Sequence, residues 1–125
     1  KGWVSTQSGV LADQSYGFGT RFEDTPGTNP EELIAAAHAS CFTMALSFAL
    51  ARAGHDKGTL ETTAKISLEK DGDGFSITKS ALDLRASVPG ISSDEFEKIA
   101  ADAKANCPVS KVLNCEITLT HSLAE

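Results

Sequence analysis

The longest apolar stretch of the sequence, residues 33–51, contains no acid, lysine or arginine. Helix-start residues precede it, because Asn29 can serve as N-cap, Pro30 suits the first helical position and Glu32 can complete a capping box. We therefore predict a helix over residues 28–53. A helix that is apolar all the way round is normally buried on every side. Since 125 residues offer limited area to cover it, we expect a second copy to do so, in an obligate homodimer.

The segment before this helix predicts extended structure. Residues 3–6 form a short strand, and residues 7–9 (Gln-Ser-Gly) indicate a turn. Residues 16–22 alternate large and small side chains, which predicts a second strand with Arg21 on the face opposite the aromatic residues. A charged loop follows over residues 23–27. Taken alone, a strand arginine is ordinarily a solvated surface residue.

The remaining pattern predicts a hairpin, a second helix and a last strand. Clean alternation marks a half-buried strand, and an Asp-Gly-Asp-Gly sequence is typical of a hairpin turn. Hairpins imply antiparallel pairing, so we predict an α+β fold with antiparallel sheets wrapped around the buried central helix, as one domain over residues 1–125. The predicted elements are strand 60–69, turn 71–74, strand 75–88, an amphipathic helix from Ser92 or Ser93 to about Asn106, and strand 112–123.

Charge and cysteine content narrow the function classes. A net charge of −6 and a pI near 5.0 argue against a nucleic-acid partner. Three cysteines without C-x-x-C spacing indicate neither a secreted disulfide framework nor a zinc site. The apolar stretch approaches membrane-spanning length, but it is rich in alanine and interrupted by polar residues. We expect a cytoplasmic protein with no membrane association, no metal and no cofactor.

The three cysteines differ in their surroundings. Cys115 falls on the apolar face of the last strand, which indicates a structural residue, and Cys41 could equally be a small core hydrophobe. Cys107 precedes Pro108 at a break between helical turns, where a thiol can be reached. A pair such as Cys41 and Cys107 suits a reversible intramolecular disulfide. Cys41 is too far from its helix N-terminus to gain from the dipole, so a thiolate there needs a cation, for which Arg21 is the best candidate.

His38 lies one turn before Cys41 and could face the same side of the helix. A Cys–His pair could indicate acyl transfer or a metal site, but the sequence places no third ligand or orienting acid nearby. The alternative is a packed, hydrogen-bonded histidine. His55 and His121 fit surface positions.

Three runs of the sequence, YGFGTRFE, TNPEELIAAAHASCFTMAL and NCPVSKVL, resemble the osmotically inducible protein C (OsmC) family and its sister group, the organic hydroperoxide resistance proteins. The resemblance extends from Lys1 to the last strand, with both cysteine motifs in order. Relatives usually carry an extra N-terminal strand that this sequence lacks or that has been cut off. The resemblance implies a thiol-dependent hydroperoxide reductase that forms an intertwined homodimer with active sites at the dimer interface.

The resemblance also implies residue roles. Cys41 would attack the peroxide and become a sulfenic acid, and Cys107 would resolve it as a disulfide. Arg21 and Glu31 match the family's catalytic arginine and glutamate. A dithiol such as dihydrolipoamide, or a lipoylated protein, would be the reductant in preference to thioredoxin. Apolar surroundings of the thiol would favour organic hydroperoxides over hydrogen peroxide.

Two questions stay open at this point. Glu31 precedes Cys41 by ten residues, or about 15 Å along a continuous helix. Either the helix breaks before Ala35, or Glu31 acts by orienting Arg21, in one chain or across the dimer. The rival to a peroxidase is a non-enzymatic dimer that binds a hydrophobic ligand or partner and whose cysteines are incidental.

Overall fold

The structure is a computed structural model that describes residues 2–22 and 26–124. The backbone forms two compact units, residues 1–34 and residues 35–125. The single domain predicted over the whole chain stays a prediction. In chain order the elements are β1 (Gly2–Val4), β2 (Gln14–Tyr16), α1 (Phe18–Phe22), α2 (Pro30–Arg52), β3 (Thr59–Asp71), β4 (Gly74–Ser87), α3 (Ser93–Asn106), α4 (Pro108–Val112) and β5 (Glu116–Ala124).

In the first unit, β1 and β2 pair antiparallel, with Trp3 opposite Ser15. The turn predicted at residues 7–9 is confirmed, because the backbone N–H of Gly9 donates to the Thr6 carbonyl oxygen at 3.0 Å. This small hairpin precedes α1 and the start of the long helix.

The predicted strand over residues 16–22 is wrong, because its second half is the short helix α1. Thr20 closes the first turn: its hydroxyl accepts from the Gly17 N–H at 2.8 Å and donates to the Gly17 carbonyl oxygen at 3.0 Å. The rings of Phe18 and Phe22, four residues apart, lie 5.0 Å from each other. The spacing of aromatic residues therefore has a helical rather than a two-residue period. Arg21 consequently lies on a helix, and residues 23–25 of the predicted loop lie outside the described residues.

The start of α2 is capped largely as predicted. The side-chain oxygen of Asn29 accepts from the Glu32 N–H at 2.7 Å. The Glu32 carboxylate, however, accepts from the Thr28 hydroxyl at 2.8 Å, where a capping box would use the Asn29 backbone N–H. Helix α2 then runs unbroken from Pro30 to Arg52, so the alternative of a break before Ala35 is wrong.

The second unit contains a three-stranded sheet in the order β3-β4-β5. Strands β3 and β4 form the predicted antiparallel hairpin, and the α+β class is confirmed. The antiparallel prediction is wrong for β5, which pairs parallel to β4. Helices α3 and α4 supply the crossover connection that parallel neighbours require. Residues 112–115 of the predicted last strand are not part of it, because Pro108 starts α4 and β5 begins at Glu116.

The core of the second unit forms on one face of α2. Phe42, Leu46 and Leu50 lie four residues apart and are buried, whereas Met44 and Phe48 on other faces are 73% and 66% exposed. Within one chain the helix is therefore not buried on every side, and the predicted covering by a second copy stays a prediction. Among the described residues it is also the one helix long and apolar enough to cross a membrane, which is weak evidence because a core helix passes the same test. The remaining core residues are Leu82, Leu84, Ala86, Val88, Phe96, Ala100, Ala103 and Cys107.

We predict that Leu84→Ala lowers the free energy of unfolding by about 2–5 kcal/mol, because the residue is fully buried in β4 and truncation leaves a cavity. The measurement is urea unfolding followed by circular dichroism at one fixed protein concentration. The control is Val112→Ala, at a side chain that is 76% exposed, which should cost less than about 0.5 kcal/mol. Equal costs for the two variants would contradict the described core.

Candidate active site

The thiols of Cys41 and Cys107 interact in the second unit. Cys41 lies half-buried on α2 against the core cluster that includes the fully buried Cys107. Burial raises the pKa of the Cys41 thiol, a hydrogen bond from the Val109 backbone lowers it, and the neighbouring Cys107 thiol raises it further. All three cysteines are free thiols. The core therefore holds two adjacent reduced thiols, one of them reachable from outside this chain.

Cys107 is fixed by the junction of two helices. Its backbone N–H donates to the Ala103 carbonyl oxygen at 3.0 Å and ends α3, while its sulfur accepts from the Ser110 N–H at 3.3 Å and caps α4. Pro108 occupies the first turn of α4, where its missing N–H costs nothing. The break predicted at this point exists. The thiol, however, is fully buried and not open to solvent, so only neighbouring side chains of the protein can reach it.

His38 connects the sheet to this junction. Its Nδ1 lies 2.6 Å from the Ser80 hydroxyl on β4, and its Nε2 lies 2.8 Å from the Ser110 hydroxyl on α4. Burial lowers the pKa of the imidazole, which favours its neutral form. The prediction of a packed, hydrogen-bonded histidine is confirmed.

Sequence reasoning missed Ser80 and Ser110. Ser110 could have been found from its position three residues after Cys107, the N-cap of α4. A residue at that position normally contacts the side chain of the N-cap residue. The signal for Ser80 is a polar residue at a buried position of an alternating strand, which needs a partner. In the part of the chain that the structure describes, no group of three or more His, Cys, Asp or Glu residues could hold a metal ion.

Arg21 and Glu31 form a bidentate ion pair in the first unit. Arg21 Nε donates to Glu31 Oε1 at 2.8 Å, and Nη2 donates to Oε2 at 2.6 Å. These hydrogen bonds hold the pKa of the Glu31 carboxyl below its ordinary value, although burial acts in the opposite direction. The same contact raises the pKa of Arg21. The structure thus contains, within one chain, the Arg21–Glu31 contact that the second alternative requires, and the action of this pair on Cys41 stays a prediction.

The capping residue of α2 also holds α1 in place. Asn29, whose oxygen caps α2, donates through its Nδ2 to the Thr20 carbonyl oxygen at 3.0 Å. Thr20 immediately precedes Arg21, and the guanidinium carbon of Arg21 lies 5.6 Å from the centre of the Phe22 ring. A short helix is thereby fixed against the first turn of a long one, and the arginine between them is pre-oriented.

The other residues considered from the sequence lie outside these clusters. His55 contacts Glu95 at 3.2 Å, and the His121 ring packs 5.6 Å from the ring of Phe96. Cys115 is half-buried just before β5. A mostly apolar cleft of about 290 Å³ opens in the first unit, and its lining contains no cysteine: Trp3, Val4, Tyr16, Thr28, Asn29, Pro30 and Leu33.

We predict that Glu31→Gln weakens the pH dependence of stability in acid. The pKa of the Glu31 carboxyl is lowered in the folded chain, so the ion pair stabilises above the unfolded value of about 4.3 and is lost as pH falls through the lower folded value. The native chain should therefore lose more stability than the variant between neutral pH and about pH 3. Urea unfolding at a series of pH values measures this.

The control for the loss of one negative charge is Glu97→Gln, at an exposed position of α3. If both variants flatten the profile to the same extent, the ion pair does not have the stabilising role that its geometry indicates.

Known proteins resemble this chain over most of its length. A profile of the family described as OsmC-like protein matches residues 22–122. The chain is 58% identical over 123 residues to Peroxiredoxin OsmC of Escherichia coli strain K12, covering 98% of this chain and 86% of that protein. It is 38% identical over 100 residues to organic hydroperoxide resistance protein OhrA of Bacillus subtilis strain 168, covering 78% of this chain and 68% of that protein.

A solved structure agrees with the fold. The crystal structure of an organic hydroperoxide resistance protein from Elizabethkingia anophelis matches with a TM-score of 0.72 and 29% identity, covering 96% of this chain and 86% of that one. The profile match spans both cysteines of the buried cluster and Glu31. On these matches, the chain belongs to the OsmC family.

Proposed function

We propose that this protein is a thiol-dependent peroxidase that reduces organic hydroperoxides to alcohols. The observation that carries the proposal is the contact between two reduced cysteines, one half-buried on α2 and one fully buried at the α3–α4 junction. The names of the relatives, a peroxiredoxin and an organic hydroperoxide resistance protein, support the same chemistry.

The bonds that form and break in the reaction belong to the two cysteine sulfurs, the peroxide and an external dithiol. The Cys41 thiolate attacks one peroxide oxygen, the O–O bond breaks, and the other oxygen leaves as an alkoxide that takes a proton to give the alcohol. Cys41 is then a sulfenic acid. The Cys107 sulfur attacks the Cys41 sulfur, the S–O bond breaks, and the oxygen leaves as water. The resulting disulfide returns to two thiols by exchange with an external dithiol.

A cation must assist the first step. Burial and the second thiol raise the pKa of Cys41, and the Val109 backbone offsets this only in part. Negative charge also develops on the leaving oxygen. We assign both tasks to Arg21, because a guanidinium keeps its charge on desolvation. Glu31 would orient it through the two hydrogen bonds described above.

The working form in this proposal is a homodimer. Helix α2 leaves Met44 and Phe48 largely exposed on faces that do not meet the core of the same chain. Large exposed apolar side chains close together are typical of an interface. A second copy of the chain would cover them and exclude water from the thiols.

The substrate and reductant follow from the character of the site. Apolar surroundings favour alkyl and lipid hydroperoxides, with hydrogen peroxide reduced less well. A small dithiol such as dihydrolipoamide, free or attached to a protein, would regenerate the thiols. We place the protein in the cytoplasm, because a thiol catalyst requires a compartment in which thiols are kept reduced.

Replacing Cys41 by Ser should abolish peroxide consumption, because a hydroxyl at that position is not ionised and cannot attack the O–O bond. The assay follows loss of tert-butyl hydroperoxide with dihydrolipoamide as electron source, and with thioredoxin and its reductase in parallel. The native chain should turn over many times with dihydrolipoamide and slowly with thioredoxin. Unchanged consumption by the Cys41→Ser variant would instead favour an apolar-ligand protein with incidental cysteines.

Replacing Cys107 by Ser should leave one rapid reduction per chain, followed by inactivation under excess peroxide. The unresolved sulfenic acid is then oxidised further to a sulfinic acid, which dithiols do not reverse. Mass spectrometry of the treated variant measures the added oxygen atoms at Cys41. The matched control is Cys115→Ser, which should retain full turnover; if it inactivates like the Cys107 variant, the resolving thiol has been misassigned.

A further inference from the structure

A buried line of polar side chains ends at the Cys107 sulfur. Ser80 contacts His38 at 2.6 Å, His38 contacts Ser110 at 2.8 Å, and the Ser110 hydroxyl lies 3.3 Å from Cys107 Sγ. His38, Ser80 and Cys107 are fully buried, and Ser110 is 8% exposed. The proposed peroxidase chemistry does not yet use the three polar members of this line.

A neutral imidazole allows two directions of hydrogen bonding along this line, one for each tautomer, and one of them suits proton transfer from the thiol. One ring nitrogen of a neutral histidine donates and the other accepts. When Nδ1–H donates to the Ser80 hydroxyl oxygen, Nε2 accepts from the Ser110 O–H, and the Ser110 oxygen is free to accept from the Cys107 S–H. This arrangement gives an uninterrupted path for a proton from the thiol to Nε2.

We propose that Ser110 and His38 form a proton relay that activates Cys107 for disulfide formation, with Ser80 holding the imidazole in the required tautomer. The inference rests on the proposed function, since it concerns the step in which Cys107 attacks the sulfenic acid of Cys41. A thiol is a poor nucleophile until it loses its proton. Cys107 is shielded from solvent, so an internal proton acceptor is needed.

The step balances without any further reagent. The Cys107 sulfur forms a bond to the Cys41 sulfur, and the Cys41 S–O bond breaks. The proton of Cys107 passes to the Ser110 oxygen while the Ser110 proton passes to His38 Nε2. The departing oxygen leaves as hydroxide and takes up the proton that His38 has accepted, which gives water and restores neutral His38. Cys107 sulfur is oxidised and the sulfenic sulfur is reduced by the same electron pair.

The surroundings of His38 suit this role. Through Ser110 it connects to the Cys107 thiol, and Cys41 lies three residues further along α2. From β4 it meets the neutral hydroxyl of Ser80. Burial lowers the pKa of the imidazole, which favours its unprotonated form, the form that can accept a proton.

The test separates the two chemical steps in the full-length protein. The reduced protein is mixed with one equivalent of tert-butyl hydroperoxide and quenched at a series of times. Dimedone then labels sulfenic acid, an alkylating reagent labels free thiols, and mass spectrometry measures the amount of each product. For His38→Gln and Ser110→Ala we expect disulfide formation to slow 10- to 100-fold. This factor is no larger than the lower end of the range of about 10²–10⁴ that a general base usually contributes. Sulfenic acid formation should change less than twofold. The matched controls, His55→Gln and Ser76→Ala, should leave both rates unchanged.

A pH profile distinguishes a relay from a purely structural contact. Glutamine can donate and accept hydrogen bonds in place of the imidazole, but it cannot take up a proton. In His38→Gln the rate of disulfide formation should therefore rise about tenfold per pH unit between about pH 7 and 8.5, because hydroxide must then remove the thiol proton. In the native chain the rate should be nearly independent of pH between about 7 and 8.5.

Each outcome decides a different claim. If the native chain forms the disulfide and both variants do so at the native rate with the native pH profile, the relay is overturned and the peroxidase stands. If the native chain forms a sulfenic acid but no Cys41–Cys107 disulfide, the relay and the resolving role of Cys107 fail, whereas reduction of the peroxide at Cys41 stands. If the native chain forms neither a sulfenic acid nor a disulfide, the proposed function itself fails. If His38→Gln does not fold, as shown by circular dichroism, the rates and pH profile of Ser110→Ala decide the relay alone.

Discussion

The contact between Cys41 and Cys107 is the constraint on which the rest of the account depends. It requires a cysteine in the middle of an apolar helix to meet a cysteine from a helix junction far along the chain. The fold achieves this because Phe42, Leu46 and Leu50 anchor α2 in the core that also contains Cys107. Pro108 then forces α3 to end where the second thiol is needed. Hydrophobic packing, rather than any bond between the sulfurs, thus sets their separation in the reduced state.

Burial that brings the thiols together also opposes their ionisation. It raises the pKa of Cys41, which disfavours the thiolate that must act as nucleophile, and it lowers the pKa of His38, which keeps the imidazole in its neutral form. In the proposed mechanism two sets of polar groups at fixed positions offset this: the Arg21–Glu31 pair, and the serine hydroxyls that hold His38. Preorganised groups of this kind stabilise charge without solvent rearrangement.

Many elements of the fold could be predicted from the sequence, and the predictions that were wrong or missing have physical reasons. The long helix with its Asn29 cap, the β3–β4 hairpin and the Ser92 cap of α3 were predictable, since each rests on local chemistry. The helix around Arg21 was missed because a Thr20 hydroxyl closes its turn. The parallel pairing of β5, and the partners Ser80 and Ser110 of His38, depend on tertiary structure. No local pattern encodes contacts across 42 or 72 residues.

The account is tested most directly by the identity of the disulfide formed in a single turnover. The reduced protein is treated with one equivalent of an alkyl hydroperoxide, blocked with an alkylating reagent and digested without reduction, and its cross-linked peptides are identified by mass spectrometry. The account predicts one cross-link within a chain, joining Cys41 to Cys107, with Cys115 alkylated. A disulfide that includes Cys115, or three alkylated cysteines with the peroxide unconsumed, would contradict it.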